Sequence, residues 1–135
     1  MMIGTLPTTV LEAVLETLPV EFSVLDANDQ VLAWNKHETR IFKRPKGVVG
    51  RNVRDCHPPK SLHKVETILN EMKQGTRDRA QFWIDLTLQN VDTPQKILIE
   101  YYALRDAQGN YLGCLEASQN ITDKQQITGE KRLLD

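Results

Sequence analysis

Leu104-Arg105-Asp106-Ala107-Gln108-Gly109-Asn110-Tyr111-Leu112-Gly113-Cys114-Leu115-Glu116-Ala117-Ser118-Gln119-Asn120-Ile121-Thr122 is the stretch whose reading decides the fold. Asp106, Gly109 and Asn110 accept the positive-φ conformations that a tight reversal demands. The turn is set between residues 96–104 and 111–121, both of which read as strands. The second run closes on Asn120-Ile121-Thr122, and charged, helix-prone residues follow. The chain therefore ends a sheet with a hairpin and leaves it through an Asn/Thr stop.

Working outward, Ala80, Phe82, Ile84, Leu86 and Leu88 alternate with polar neighbours at a period of two, which predicts a strand. Asp92-Thr93-Pro94-Gln95 breaks it from the next strand, because proline cannot donate to a ladder. Before these strands, Leu62, Val65, Ile68, Leu69 and Met72 recur at helical spacing. Pro58-Pro59 suits the start of that helix and Gly75 its end. Residues 43–60 are irregular and carry Pro45, Gly47 and Gly50, the composition of a loop that could line a pocket. Phe22 and Val24, a turn at Asp26-Ala27-Asn28-Asp29, and residues 30–34 read as a first hairpin. Asn35 is expected to cap a short helical stretch over residues 36–42. At the start, Thr9 and Glu12 have capping-box spacing, and Val10, Leu11, Val14, Leu15 and Leu18 form one apolar stripe. That stripe must be buried on a sheet or on a second subunit.

A length of 135 residues predicts one domain with a single core. Seventeen Lys and Arg against eighteen Asp and Glu leave a net charge of −1, which argues against a nucleic-acid partner. No apolar run reaches the roughly 20 residues of a membrane span, and no signal peptide is evident, so a cytoplasmic protein is expected. Cys56 and Cys114 stand apart, which suits two reduced thiols better than a disulfide or a metal site.

The order helix, two strands, helices, three strands, helix resembles a PAS domain. The resemblance covers residues 20–123: Asp26-Ala27-Asn28-Asp29-Gln30-Val31-Leu32-Ala33-Trp34-Asn35 in the first hairpin, Val49-Gly50-Arg51-Asn52-Val53 before the long helix, and the closing hairpin with Asn120-Ile121-Thr122, where the family usually has Asp-Ile-Thr. It implies an α+β fold, a five-stranded antiparallel sheet with helices on one face, plus the N-terminal amphipathic helix. Residues 1–19 would form that helix, 20–123 the PAS domain, and 124–135 an output helix or tail. His57-Pro58-Pro59-Lys60-Ser61 is similar to a subgroup attached to hemerythrin-like domains in bacteria, and no such domain is found in this sequence.

No phosphate loop, HExxH, Gly-x-Ser-x-Gly or paired Cys–His motif is present, so no enzyme is expected. The resemblance implies a small-ligand cavity between sheet and long helix, with Cys56, His57, Leu62, Val65, Leu69 and Phe82 as candidate lining residues. No cofactor is expected. Haem is the leading candidate if one binds, since haem-sensing members ligate iron through a histidine at the long helix. His57 is then the better ligand, because His63 falls opposite the apolar stripe of its helix. The reactive cysteine of flavin photosensors is missing from residues 35–42. Trp83 occupies the polar register of its strand and, with Val10, Leu11, Val14 and Leu15, is expected to form a homodimer interface. Asn120 and Thr122 are expected at the signal junction, with Thr122 capping the helix that follows. The resulting reading is a sensory module that binds a small ligand, mediates dimerisation, or both, and signals through a partner protein in trans. The alternatives are a ligand-free interaction adaptor and a haem-based redox or gas sensor.

Overall fold

A computed structural model describes residues 1–134. Helix α1 (Thr8–Thr17) precedes the hairpin β1 (Glu21–Asp26) and β2 (Val31–Trp34); helix α2 (Pro59–Gln74) follows, and then β3 (Arg79–Leu86), β4 (Gln95–Arg105) and β5 (Tyr111–Asn120). The five strands form one sheet in the order β2-β1-β5-β4-β3. Every pairing in it is antiparallel. This is the expected PAS architecture. It places the first and last strands side by side at the centre.

Strand alternation divides the sheet into two faces. Leu25, Cys114, Tyr101 and Ala80 face one side and pack with Val65, Leu69 and Met72 of α2, forming the core with Val31 and Val53. Helix α2 begins with Pro59 at its first position, where the missing N–H costs nothing, and ends at Gly75 with φ 82°, donating to Met72 O at 3.2 Å. The hairpin turns work as their residues predict. Asp26 Oδ1 accepts from the N–H groups of Asn28 (2.8 Å) and Gln30 (3.0 Å), while Asp106 Oδ1 accepts from Gln108 and Asn110 (both 2.9 Å). The Asn110 side-chain amide, donating to Asp106 Oδ2 at 3.0 Å, and after it these backbone bonds hold the Asp106 carboxyl below its usual pKa.

Gly113 carries a tighter constraint. Its φ is 150°, and a Cβ there would lie 2.0 Å from the Leu25 carbonyl oxygen across the β1–β5 ladder. No side chain fits that approach.

Three local expectations are corrected, and the choice between an output helix and a tail over residues 124–135 is described. Helix α1 starts at Thr8 behind Pro7 with no side-chain cap, so Thr9 lies within the helix and the box with Glu12 does not form. Residues 36–42 are not helical. Asn35 is instead buried, donating through Nδ2 to Leu15 O (2.7 Å) and Val20 O (3.1 Å) and accepting from Phe22 N–H (2.7 Å). Its side chain is thereby spent on tertiary bonds and cannot cap. Strand β3 stops at Leu86 rather than including Leu88. Past the sheet, a single 3-10 turn, Asp123–Gln126, takes the place of a helix among the described residues of the tail.

Candidate functional site

A cleft of about 1500 Å³ opens between the core-facing side of the sheet, the first half of α2, and the irregular chain over residues 39–58. Its volume exceeds the roughly 300–1,000 Å³ usual for small-molecule sites. Val48, Val65, Ile68, Phe82, Ile84 and Ile99 supply apolar walls. Phe82 meets Tyr101 edge-on, with centroids 5.4 Å apart.

The floor is polar. On β5, alternation turns Cys114, Glu116 and Ser118 to the same face, and Glu116 sits opposite Ser23 of β1 and Tyr101 of β4. A carboxylate is thus carried into the centre of the sheet, where it needs a cation. Arg44 reaches it from the irregular segment, Nη2 to Oε2 at 3.0 Å, with side-chain exposures of 13% and 8%. Burial pushes the Glu116 carboxyl above its usual pKa, with Arg44, His57 and Arg40 pulling the other way. The Tyr101 hydroxyl is pushed well up by burial.

A second buried pair lies beside the first. Arg40 Nη2 stands 3.3 Å from Glu21 Oε2. Its guanidinium also donates to Phe42 O (2.9 Å), Phe22 O (3.0 Å), Asn35 O (3.0 Å) and Ser23 Oγ (3.2 Å). Glu21 accepts in return from the backbone N–H groups of Ile41 and Phe42. These bonds pin the irregular segment to β1. The Arg44–Glu116 pair is less complete, because Arg44 Nε and Glu116 Oε1 are buried without a partner. Leaving such an atom unpaired costs about 1–3 kcal/mol.

His57 and Cys56 line the same cleft. His57 Nδ1 lies 3.1 Å from Val53 O. A carbonyl only accepts, so Nδ1 carries the proton and Nε2 keeps its lone pair, the tautomer suited to metal ligation. His57 would be the residue to hold a haem, through Nε2, and the group would supply redox- or gas-responsive chemistry there. Among the described residues no three His, Cys, Asp or Glu side chains group as a metal site. Burial raises the Cys56 thiol, and it raises that of Cys114, which lies in the core, to about 12.

Of the residues singled out from sequence, Cys56, His57, Val65 and Phe82 come together in the cleft. Leu62 and Leu69 do not line it. Leu69 is fully buried in the core beneath it, and Leu62 is half-buried elsewhere on α2. Arg40, Arg44, Glu116, Ser23 and Tyr101 were missed. Glu116 had a signal, since it shares the inward register of Cys114 on a predicted strand. Arg40 and Arg44 lie in chain without periodicity and had none.

Away from the cleft, Val10, Leu11, Val14 and Leu15 are each 37–43% exposed, and α1 has no buried residue. Leu15 lines an open groove with Phe22 and Ala33, on the sheet face opposite the core. Trp83 stands 61% exposed in the outward register of β3, paired with Leu98 across the β3–β4 ladder, and it also borders the cleft. The structure does not bring Trp83 and the helix stripe into a shared buried contact. Thr122 does not cap the turn that follows it. Its Oγ1 accepts from Lys96 N–H (2.8 Å) and donates to Asn120 Oδ1 (2.7 Å), and Asn120 Nδ2 donates to Gln95 Oε1 (2.9 Å). Both residues tie the end of β5 to the start of β4.

Among solved structures, a C-terminal domain from Streptococcus mutans matches with a TM-score of 0.83 and 29% identity over 95% of each chain. The PAS domain of Bordetella pertussis BvgS matches with a TM-score of 0.62 and 16% identity, over 87% of this chain and 88% of that one. A PAS domain from Colwellia psychrerythraea matches with a TM-score of 0.61 and 14% identity, over 85% and 97%. No curated protein matches the chain in sequence. The model of the PAS domain family matches residues 11–122. With that match over most of its length, and with this sheet order and cleft, the chain belongs to the PAS domain family.

Proposed function

We propose that this PAS domain is a cytoplasmic, non-enzymatic sensory module that takes a small organic ligand into the cleft and passes the occupied state to a partner protein. The observation that carries the reading is the open cleft of about 1500 Å³ with a polar floor. A ligand-free adaptor would fill that space with its own side chains. No helix among the described residues is long and apolar enough to cross a membrane.

Transmission has a physical route. The segment that lines the cleft carries both Arg40 and Arg44. Arg40 bonds Asn35 O, and the Asn35 side chain bonds Leu15 O near the end of α1. A ligand that favours one arrangement of this segment shifts the population of α1 positions. The apolar stripe of α1 supports homodimerisation through α1 and the outer sheet face, because an uncovered stripe is a liability in water. Leu11→Glu/Val14→Glu in the intact chain is expected to convert a dimer to a monomer in light scattering after gel filtration. A dimer that survives the change removes this interface.

Native mass spectrometry of the purified protein tests the ligand reading, and a bound small molecule released on denaturation is the expected result. A chain that carries nothing, and whose melting point no metabolite mixture shifts, favours the adaptor. The His57 tautomer favours a second, narrower reading as a haem sensor. Adding haemin should then give a Soret band that His57→Ala abolishes; a band unchanged in that variant removes His57 as the ligand.

A further inference from the structure

We propose that the free edge of β3 is a second self-association site, where two copies of the chain pair this strand antiparallel about a two-fold axis at Phe82. The site is separate from the α1 face and joins chains only at high concentration.

The two edges of the sheet are treated differently. Strand β2 is closed by the chain itself: Gly50 N–H donates to Val31 O (2.7 Å), Val31 N–H to Arg51 O (2.9 Å), and Val53 N–H to Asp29 O (2.7 Å). Strand β3 ends the sheet on the other side, and among the described residues no strand pairs with its outer edge. It runs eight residues in unbroken register with β4. It has no bulge, proline or lysine, the devices that keep an edge from pairing. Trp83 and Ile84 stand exposed near its middle.

The hydrogen-bond pattern fixes which residues can meet. Ala103 N–H donates to Asp78 O (2.9 Å), the position that precedes Arg79 in the β3–β4 register. Bonding alternates along an antiparallel ladder, so residues 80, 82, 84 and 86 bond β4, and Arg79, Gln81, Trp83 and Asp85 turn N–H and C=O outward. Two other bonds agree. Lys96 O, opposite Asp85, accepts from Ile121 N–H (2.8 Å) on the β5 side, and Arg79 O accepts from Arg77 Nη1 (3.3 Å). Two copies can therefore bond only through odd-numbered residues. Among the registers that allow this, the one centred on Phe82 sets opposite charges of β3 against each other. Arg79 meets Asp85 of the second copy at both ends, and Gln81 meets Trp83 between them. Both charges are available. Arg79 has no ion pair among the described residues, and Asp85, 65% exposed, pairs with Lys96 through Oδ1 alone. One eight-residue strand per chain is a small contact beside the roughly 1,200–2,000 Å² of stable interfaces, so dilution separates it.

Sedimentation velocity of the intact chain carrying Leu11→Glu/Val14→Glu, followed up to millimolar concentration, reads this contact apart from α1. A dimer that grows with concentration is expected. Adding Arg79→Asp sets two carboxylates together at each contact, and adding Asp85→Arg sets two guanidiniums together, so either alone should weaken association about tenfold. Mixed one to one, the two variants bring opposite charges to both contacts, and the dimer should return. Amide hydrogen exchange gives a reading without changes in the strand: Gln81 and Trp83 should become protected as concentration rises, while Phe82 and Ile84, already bonded to β4, stay as they are. A chain that remains monomeric at millimolar concentration, a mixture no tighter than either variant alone, or Gln81 and Trp83 amides indifferent to concentration would overturn the proposal.

Discussion

Two buried arginine–glutamate pairs lie next to each other in this domain, and they differ in one respect. Around Arg40 and Glu21 every buried polar atom has a partner, and beyond each other and Ser23 Oγ the partners are backbone groups of β1 and of residues 35–42. Around Arg44 and Glu116 two atoms have none. A completed network rigidifies the element it joins, whereas an incomplete one leaves a buried donor and a buried acceptor unsatisfied. Arg40 is thus a fastener for the irregular segment, and Arg44 holds that segment to β5 through a single contact.

The contrast can be broken by mutation. Arg40→Met strips the fastener and leaves Glu21 a buried, unpaired charge, so it should cost about 3–5 kcal/mol in denaturant unfolding. The double change Arg44→Met/Glu116→Leu removes both charges together and should be near neutral or stabilising, by up to about 1–4 kcal/mol. A double variant as damaged as Arg40→Met would erase the distinction between the pairs.

A smaller effect follows from the raised Glu116 carboxyl. Its folded value lies above the ordinary 4.5, so the folded state binds the proton more tightly than the unfolded chain does. The contribution is fully present below about 4.5 and is lost as pH rises through the folded value. Unfolding measured across that window should lose this pH-dependent increment, and Glu116→Gln should flatten the curve. The smallest effect is chemical. With its pKa raised to about 12 and its side chain in the core, Cys114 should resist iodoacetamide until the protein unfolds. Half-buried Cys56, also raised, should react in the folded protein, though more slowly than a free thiol.

Much of this architecture was legible in the sequence because its parts are periodic. The alternation from Ala80 to Leu86, the stripe Val65, Leu69 and Met72, and the Asp106–Asn110 turn each follow from local chemistry. The failures share a cause as well. Asn35 has strong capping propensity, but three tertiary hydrogen bonds outbid it. Thr9 and Glu12 have the right spacing, but Pro7 sets the helix start two residues earlier. The site was half legible. Val65 and Phe82 sit on periodic elements, and His57 precedes one, whereas Arg40 and Arg44 come from chain whose path only the packed structure fixes. Glu116 could have been found by asking why a glutamate shares a register with Cys114. Gly113 follows the same rule, since its need for glycine comes from the Leu25 carbonyl on another strand.

The most direct test of the contrast is hydrogen exchange of the arginine Nε–H groups, read in ¹H–¹⁵N spectra of the intact chain. The Arg40 Nε–H, bonded to Phe42 O at 2.9 Å, should exchange far more slowly than the unpartnered Arg44 Nε–H. Equal protection of the two, or slower exchange at Arg44, would contradict it.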